Sequence, residues 1–402
     1  MQARKALVLL TTVPELLSKS WLFPGEIVLV RYQKGPDGKP VKKAVVYTNP
    51  EHGIDPRSVD TDAMRIVERL RRNGHDAYIV GGAVRDLLIG RIPKDYDIVT
   101  DAQPQRIKRL FYRSRIIGRR FRLVHVYVGN RIYEVSTFRS MVNGSIGNTY
   151  GTIDEDAQRR DFSMNALYFD PLQGHLVDYV GGYKDVKARR IVPVIPLKTI
   201  FTEDPVRMLR AVKYAVSTTF TIQFWTRLAI RRQAKLLASA SVSRLGEEAI
   251  KIFGSGKAAL ISESLRSFGL LQAIRPRIDA VLAAGGPRAA SLRTNLQALD
   301  AYVDETGDKS LGVLLAFVVR DAVREASLVP AQDANEAYHL ALQSARDFMA
   351  PLTMPRVDIE FAVKAEFQAP EPKAKLKKAR RRRRRKPAMA SQDGPAAPAD
   401  VD

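Results

Sequence analysis

Apolar and polar positions in the first 190 residues follow both helical and strand periods, which predicts a mixed α and β region. From Ser58 to Asn73 apolar residues recur at helical spacing among charged ones, and Asn73-Gly74 ends the predicted helix. A second helix is predicted to start at Val84–Leu88. Short runs rich in β-branched and aromatic residues predict strands. These strands are Ala77–Val80, Tyr96–Val99, Leu123–Val128 and Ile132–Thr137.

Two further β-type runs precede this region, at Ile27–Val30 and Val41–Tyr47. They flank the turn sequence Gly35–Gly38, which contains Pro and Asp between its glycines. Residues 1–50 are therefore predicted to form a hairpin or arm that carries no catalytic groups.

After about residue 205 the pattern changes to Ala-, Leu- and Arg-rich segments with helical periodicity. This half is predicted to be helical, with breaks at Gly254–Gly256 and Gly285–Pro287. The longest apolar run, Leu311–Val319, is far shorter than the ~20 residues that span a bilayer, so no membrane span is expected. The predicted organisation is an arm at 1–50, a mixed head at 51–190, a neck at 191–260, a body at 261–366 and a tail at 367–402.

The net charge of the chain indicates what kind of partner it binds. A formal net charge of +22 and a pI near 10.1 indicate a polyanion, either nucleic acid or an acidic membrane surface. The chain has no cysteine, which excludes disulfides and thiolate metal sites and fits a reducing compartment, the cytoplasm.

The tail concentrates much of this charge. Lys373–Lys386 contains eleven basic residues, and such a run is predicted to be disordered and to bind phosphates without sequence preference. A localisation signal and a membrane-surface anchor are the alternatives. The candidate RNA-binding residues of the tail are Lys377, Lys378, Arg380, Arg381, Arg382, Arg383, Arg384 and Arg385.

Candidate chemistry begins at Gly81-Gly82, between a predicted strand and a predicted helix start. Paired glycines at such a point let backbone N–H groups approach a phosphate, and Arg85 can add positive charge. A plain tight turn has the same pattern.

Asp95 and Asp97 follow soon after, and positions i and i+2 of a strand point to the same face. Two close carboxylates repel each other unless a cation lies between them, and Mg²⁺ prefers oxygen ligands of this kind. The alternative is a polar, solvated strand edge. Two-metal phosphoryl transfer needs a further acidic ligand, for which Glu134 is the candidate unless it faces outward from its strand.

Two later blocks suit a nucleotide. Arg159 and Arg160 can bind phosphate oxygens, while Asp161 and Asn165 can bind ribose hydroxyls, although a solvated helix terminus has the same composition.

Asp204 and Arg207 stand three residues apart, on either side of Pro205 at a predicted helix start, and so share one face. An acceptor beside a donor matches the pairing edge of adenine, but cytosine presents the same order. The alternative is a helix cap with an exposed ion pair.

The blocks occur in order, as GGAVRDLLIGRIPKDYD, EVSTFR, RRDFSMNA and EDPVRMLR, over about residues 50–215. Together they resemble class II nucleotidyltransferases, the family of bacterial poly(A) polymerases and CCA-adding tRNA enzymes. The resemblance implies an α+β fold: a polymerase-beta-type nucleotidyltransferase head with a mixed β-sheet, followed by an all-helical neck and body. It also implies two Mg²⁺ ions as cofactors, ATP as substrate and RNA 3′ ends as partners.

By the same resemblance, Asp95 and Asp97 would bind the metal; together with Glu134, the candidate for the further acidic ligand, they are the predicted catalytic residues. The RRD motif would contact triphosphate and ribose, and the EDxxR motif would read the base. The candidate nucleotide-binding residues are Gly81, Gly82, Arg85, Arg139, Arg159, Arg160, Asp161, Asn165, Asp204, Arg207 and Arg210.

The segment Ile117–Val126 resembles the poly(A) polymerase branch, and it holds the further candidate RNA-binding residues Arg119 and Arg120. We therefore expect addition of AMP to RNA 3′ ends, with RNA-decay or RNA-chaperone proteins as candidate partners. A CCA-adding or A-adding tRNA nucleotidyltransferase is the alternative, and a non-catalytic RNA-binding protein is a further one. The region after Arg210 departs from the family pattern.

Overall fold

The computed structural model describes residues 7–10, 29–34, 40–118, 122–140 and 149–367. Its first part is built on one sheet of ten strands. These are β1 (Leu7–Leu10), β2 (Leu29–Lys34), β3 (Pro40–Tyr47), β4 (Ala77–Val80), β5 (Asp97–Thr100), β6 (Ser114–Ile117), β7 (Leu123–Val128), β8 (Arg131–Thr137), β9 (Leu167–Asp170) and β10 (His175–Asp178).

The strand order is β1-β2-β3-β10-β9-β4-β5-β8-β7-β6. The β1–β2 and β5–β8 pairs are parallel and the other pairs are antiparallel, so the sheet is mixed. The predicted hairpin is present as the antiparallel β2–β3 pair, and β3 also pairs with β10, which joins the arm to the sheet of the head. The turn residues 35–38 lie outside the described residues.

Short helices cover the sheet. They are α1 (Asn49–His52), α2 (Thr61–Arg72), α3 (Gly82–Leu88), α4 (Pro104–Leu110), α5 (Ile153–Gln158) and α6 (Gly182–Lys187), with 3₁₀ turns at Pro56–Ser58 and Ser163–Asn165. In α2 the apolar positions predicted at helical spacing are buried, and Asp60 caps the helix by accepting hydrogen bonds from the N–H groups of Asp62 and Ala63.

The second part is helical apart from a small parallel pair, β11 (Arg190–Ile191) with β12 (Thr221–Ile222). Its helices are α7 (Ile200–Glu203), α8 (Val206–Thr218), α9 (Phe224–Gln233), α10 (Val242–Phe253), α11 (Ala258–Ser267), α12 (Leu270–Ile274), α13 (Pro276–Ala284), α14 (Gly286–Thr306), α15 (Leu311–Ser327), α16 (Ala334–Met349) and α17 (Arg356–Glu366), with a 3₁₀ segment at Ala234–Ser239.

Helix α8 is fixed to both parts of the molecule. At its C-terminal end the carbonyl oxygen of Ser217 accepts a hydrogen bond from Arg91 of the head at 2.8 Å and one from Lys257 at 3.3 Å. Along its length Lys213 forms a buried ion pair with Glu248 of α10 at 2.5 Å. Cations at a helix C-terminus also complement the helix dipole. The side chains of α8 are therefore held in a set relation to the sheet.

The predicted α+β class, with a mixed-sheet head and a helical remainder, is confirmed. One apolar core of buried residues extends from Tyr47 in the sheet to Val363 in α17. Strand β5 begins at Asp97, one residue later than predicted. Among the described residues, no helix has the length and apolar character needed to cross a membrane. The predicted boundaries between head, neck and body stay predictions.

Candidate active site

Asp97 is the first residue of β5, an interior strand of the sheet. Its neighbours are Val80 on β4, in the antiparallel pair, and Glu134 on β8, in the parallel pair. Asp95 is exposed and precedes the strand, so the strand alternation that was expected to align the two carboxylates applies to Asp97 alone. Asp97 and Glu134 are register partners, and both are exposed at this end of the sheet.

Gly81 forms the turn that faces Asp97. Its φ of 76° and ψ of −133° lie in a region that only glycine adopts without strain. A Cβ at this position would stand 3.5 Å from Oδ2 of Asp97 and 3.9 Å from Nη1 of Arg160. The backbone of the turn therefore approaches the carboxylate and the guanidinium closely.

The electrostatics around Asp97 fit a cation. Although Asp97 is open to solvent on one side, the protein packed around its carboxyl group desolvates it and raises its pKa to about 6. The negative charges of Glu134 and Asp95 also raise this pKa, and the positive charge of Arg160 lowers it. A divalent cation between Asp95 and Asp97 would relieve this repulsion, so the oxygen donors present fit Mg²⁺.

Glu134 is not placed as a third ligand in a preformed metal site. Within the described ranges, no three acidic or histidine side chains converge closely enough to hold a metal ion. Glu134 is half exposed, and its carboxylate lies 3.6 Å from Nε2 of His125. Its proposed catalytic part therefore remains a prediction that rests on its place beside Asp97.

A buried carboxylate that the sequence analysis missed, Asp156, orients the two arginines of the RRD motif. Its Oδ1 accepts from Nη2 of Arg159 at 2.7 Å, and its Oδ2 accepts from Nη2 of Arg160 at 2.9 Å and from the hydroxyl of Tyr168 at 2.8 Å. Burial would raise the pKa of Asp156, but the guanidiniums of Arg160 and Arg159 outweigh it and lower that pKa to about 2. The backbone N–H of Arg139 donates to the same carboxylate at 3.2 Å.

Arg85 lies behind the cleft wall. The side chain is buried, donates to Oδ1 of Asn165 at 2.9 Å and pairs with Asp86 at 2.8 Å. It was predicted to contact the nucleotide, but its described contacts instead orient the Asn165 amide. Asn165 itself lines the cleft.

Asp161 forms an ion pair with helix α8. Its Oδ2 lies 2.8 Å from Nε of Arg210 on α8, an ion pair without hydrogen-bond alignment, and its Oδ1 accepts from the backbone N–H of Phe162. Arg210 also donates to the hydroxyl of Tyr214 at 2.9 Å. The RRD carboxylate and helix α8 therefore form one wall.

Helix α8 starts at Val206 with Pro205 as its N-cap, so Asp204 lies one residue before the cap position, and its Oδ1 accepts from the N–H of Val206 at 3.2 Å. Its Oδ2 pairs with Arg244 of α10 at 2.5 Å, whereas Nε of Arg207 lies 3.9 Å away. Arg207 donates instead to Glu203 and to a backbone carbonyl. Arg244 is a second residue that the sequence analysis missed, because it lies 40 positions beyond Asp204.

These groups surround one cavity of about 280 Å³. It is lined by Gly81, Gly82, Asp97, Arg159, Arg160, Asp161, Asn165, Asp204, Arg207, Arg210 and Tyr214. All of these were predicted except Tyr214, which stands four positions after Arg210 on the same helix face. Arg85, Arg139, Asp95 and Glu134 do not line it. Arg119, Arg120 and the tail residues Lys377, Lys378 and Arg380–Arg385 lie outside the described residues.

The arrangement suits a nucleoside triphosphate. Guanidiniums that line the cavity can bind phosphate oxygens, and the carboxylate at the glycine turn can hold a metal ion against them. Asp204 and Arg207, an acceptor and a donor, line the same cavity.

Comparison with known families agrees with this geometry. The model of the Poly A polymerase head domain matches residues 77–192. A second model, described as "Probable RNA and SrmB- binding site of polymerase A", matches residues 219–282. Together they include the glycine turn, the carboxylates, the RRD block and helix α9.

Curated relatives match over longer stretches. Poly(A) polymerase I of Haemophilus influenzae is 39% identical over 243 residues, 56% of this chain and 54% of the relative. Poly(A) polymerase I of Escherichia coli is 34% identical over 315 residues, 74% of this chain and 68% of the relative. The CCA-adding enzyme of Geobacillus kaustophilus is 38% identical over 198 residues, 47% of this chain and 48% of the relative.

Among solved structures, a CCA-adding enzyme in complex with ATP superposes with a TM-score of 0.55 at 21% identity, covering 78% of this chain and 72% of that one. At that identity the likeness concerns the fold alone. The chain spans about half the length of the first curated relatives it matches. Its motif order, its cleft and these matches place it in one group: the chain belongs to the family of bacterial poly(A) polymerases and CCA-adding tRNA nucleotidyltransferases.

Proposed function

We propose that this protein adds AMP from ATP to RNA 3′ ends without a template. The observation that carries the proposal is the single cavity in which Asp97, at the Gly81 turn, faces the guanidiniums of Arg159 and Arg160. A carboxylate opposite several guanidiniums is the arrangement that metal-assisted transfer from a triphosphate requires.

In the proposed reaction, the RNA 3′-hydroxyl oxygen forms a bond to the α-phosphorus of ATP. The bond from that phosphorus to pyrophosphate breaks, and the hydroxyl proton passes to solvent. Mg²⁺ bound by Asp95 and Asp97 would supply charge neutralisation at the reacting oxygens. Arg159 and Arg160, oriented by Asp156, bind the triphosphate and favour departure of pyrophosphate.

The walls of the cavity also orient the nucleoside. Asp161, held by Arg210, accepts from ribose hydroxyls, and Asn165, held by Arg85, can donate to the same sugar. Asp204 and Arg207 present an acceptor and donors to the base. No covalent enzyme intermediate and no general-base side chain are needed in this scheme.

The second candidate is CCA addition to tRNA. Adenine and cytosine present the same donor and acceptor order to Asp204 and Arg207, and CCA-adding enzymes match this chain at 38% identity over about 200 residues. Polyadenylation is supported by the longer matches to poly(A) polymerase I and by the segment Ile117–Val126.

One assay separates these functions. The protein is incubated with Mg²⁺, each single NTP, and either an oligoribonucleotide or a tRNA that lacks its terminal CCA. Long tracts from ATP alone support polyadenylation, and limited C and A addition to the tRNA supports the alternative. Failure to incorporate any of the four nucleotides, with RNA binding retained, would instead indicate a binding protein. Asp97→Asn is the matched inactive control.

RNA is the partner that the +22 net charge favours. The basic run at Lys373–Lys386 would bind the transcript electrostatically. The second family model is described as a probable binding site for SrmB as well as RNA, which supports a partner besides RNA. RNA-decay or RNA-chaperone proteins are the candidates.

A further inference from the structure

Two large aromatic side chains lie side by side on the surface of the neck. Phe224 and Trp225, the first residues of α9, are 67% and 68% exposed. Their rings meet edge to face, with centroids 5.1 Å apart and planes inclined by 76°. Such exposure of two adjacent aromatic residues is costly unless a partner covers them, and an edge-to-face contact leaves ring surface open for stacking.

The rest of the exposed face of α9 is basic. At helical spacing, Arg231 projects on the side of Phe224, and Arg227 and Arg232 flank it. Lys235 follows in the 3₁₀ segment that continues α9. All four are exposed, while Thr226 and Ile230 on the opposite side are buried in the core. The aromatic residues and the cations therefore share one outward surface, which we call the α9 face: Phe224, Trp225, Arg227, Arg231, Arg232 and Lys235.

These cations are not neutralised within the described part of the chain. Arg227, Arg231, Arg232 and Lys235 have no carboxylate partner among the described residues, and Arg231 lies over the ring of Phe268, at 5.5 Å from its centroid. No Asp or Glu occurs from Pro205 to Gly246, so these four cations have no carboxylate neighbour close to them along the chain, and the fold brings none from elsewhere in the described residues.

We propose that the α9 face is a stacking platform for single-stranded RNA, on which bases stack against Phe224 and Trp225 and phosphates bind the arginines and Lys235. The proposal rests on RNA being the substrate, as proposed above. Aromatic side chains beside cations are how proteins hold single strands without reading sequence, because every base has a face to stack. An enzyme that extends RNA without a template needs that tolerance.

The alternatives fit the face less well. An interfacial membrane helix keeps its aromatic residues on one side and its cations on the other, whereas here both project outward and the opposite side is buried. A second copy of this chain would bring the same cations against each other, which repels.

Trp225 provides a direct test. The chain has two tryptophans, so Trp21→Phe makes Trp225 the sole indole reporter in the full-length protein. Titration with oligo(A) of about 15 nucleotides should quench its fluorescence, a duplex of equal length should quench it much less, and added salt should weaken binding of the single strand. Absence of quenching at saturating single-stranded RNA would overturn the proposal.

Variants then separate stacking from charge. Phe224→Ala with Trp225→Ala should weaken oligo(A) binding about tenfold. Arg227→Gln with Arg232→Gln should lower the slope of log affinity against log salt, by about 0.7 for each phosphate that the variant no longer binds. The matched control is Arg65→Gln with Arg72→Gln, which removes the same charge from cations of α2 that Asp62 and Glu68 neutralise, and it should leave the slope unchanged.

The outcomes distinguish this proposal from the proposed function. If the aromatic variant binds RNA normally while the protein still incorporates nucleotides, the platform is wrong and the activity stands. If no nucleotide is incorporated but oligo(A) quenches Trp225, the platform stands and the activity is wrong. The platform is also wrong if the aromatic variant binds RNA as the unchanged protein does but loses binding to vesicles of anionic phospholipid. The same holds if that variant binds RNA normally but loses self-association, measured by sedimentation velocity.

Discussion

Arg244 of helix α10 pairs with Asp204 at 2.5 Å, closer than Arg207, the partner of Asp204 in the EDxxR motif, which stands 3.9 Å away. The acceptor proposed to read the base is thus oriented by helix α10 rather than by its motif partner. Asp204 is buried, so a change in its partner changes where its free lone pairs point. Helix α10 therefore contributes to the shape of the proposed base site.

Arg244→Leu is expected to lower selectivity for ATP over CTP by about tenfold, with a smaller change in kcat. Freed from Arg244, the Asp204 carboxylate can rotate toward Arg207 and lose its set direction. Selectivity is measured as the ratio of kcat/KM for the two nucleotides on one oligoribonucleotide. Arg266→Leu is the control, because it breaks an ion pair with Glu263 on α11, outside the cavity lining. Equal selectivity in both variants would show that Arg244 has no part in base choice.

Asp95→Asn and Asp97→Asn are each expected to reduce ATP incorporation into RNA at least about a hundredfold, because an amide cannot hold the metal ion against the triphosphate. Single-turnover incorporation under saturating Mg²⁺ is the measurement, with oligo(A) affinity as the folding control. Residual incorporation above about a hundredth of the original rate would mean that the metal assignment is wrong.

Gly81→Ala should abolish most activity because it disturbs the backbone of the turn, since glycine has no side chain that could take part in the reaction. Alanine is strained at φ 76°, by about 1–3 kcal/mol, and its Cβ would stand 3.5 Å from Asp97 where a phosphate must approach. Gly74→Ala is the matched control, since Gly74 has φ 79° and, across the described ranges, only its chain neighbours approach the place of an added Cβ. Both variants should lose stability in urea, but only Gly81→Ala should lose more than about tenfold in kcat/KM. Equal activity in Gly81→Ala and Gly74→Ala would contradict the proposal that a phosphate approaches this turn.

Because of the Asp156 carboxylate, we expect the stability of the fold to decrease at acidic pH. Its pKa is lowered to about 2 in the folded protein, below the usual value of an unfolded Asp, so it stabilises the fold above about pH 4. That contribution, about 2 kcal/mol, is lost as the pH falls from about 4 to about 2. Urea unfolding at successive pH values should show a shallower decline over this interval in Asp156→Asn, which should also be less stable at pH ~7. A parallel decline in the two proteins would contradict the prediction.

Removal of residues 371–402 should weaken RNA binding and processivity but spare addition of a single nucleotide. The removed segment carries the basic run Lys373–Lys386, whereas every residue that lines the cavity precedes it. Product-length distributions and the salt dependence of oligo(A) affinity provide the measurement. Loss of single-nucleotide addition in the truncated protein would contradict a purely electrostatic part for the tail.

Much of the candidate site could be predicted because its motifs are local. Gly81-Gly82 had to lie between a strand and a helix, and Asp97 had to lie at a strand start, since turn chemistry and strand pattern are properties of a few neighbouring residues. The same holds for Asp204 at the start of α8. The strand alternation argument was less successful for Asp95, which precedes β5.

The residues that orient the site could not be predicted. Asp156 beneath Arg159 and Arg160 is one carboxylate among many in the sequence, and nothing local marks it as buried. Tyr214 is an ordinary aromatic position of an amphipathic helix until α8 is placed against the cleft. Their roles depend on which groups are withdrawn from water together, and that is a property of packing.

Propensity, turn chemistry and composition act over short spans of chain, so the local elements, the order of the motifs and the strong positive charge follow from the residues alone. The long-range contacts do not: that Arg85 donates to Asn165, that Arg244 reaches Asp204, and that Phe224 and Trp225 stay exposed beside cations that no described carboxylate neutralises, are all set by the folded chain. Each of these depends on which segments far apart in the chain come together and which stay apart, and burial of the apolar core sets which segments meet.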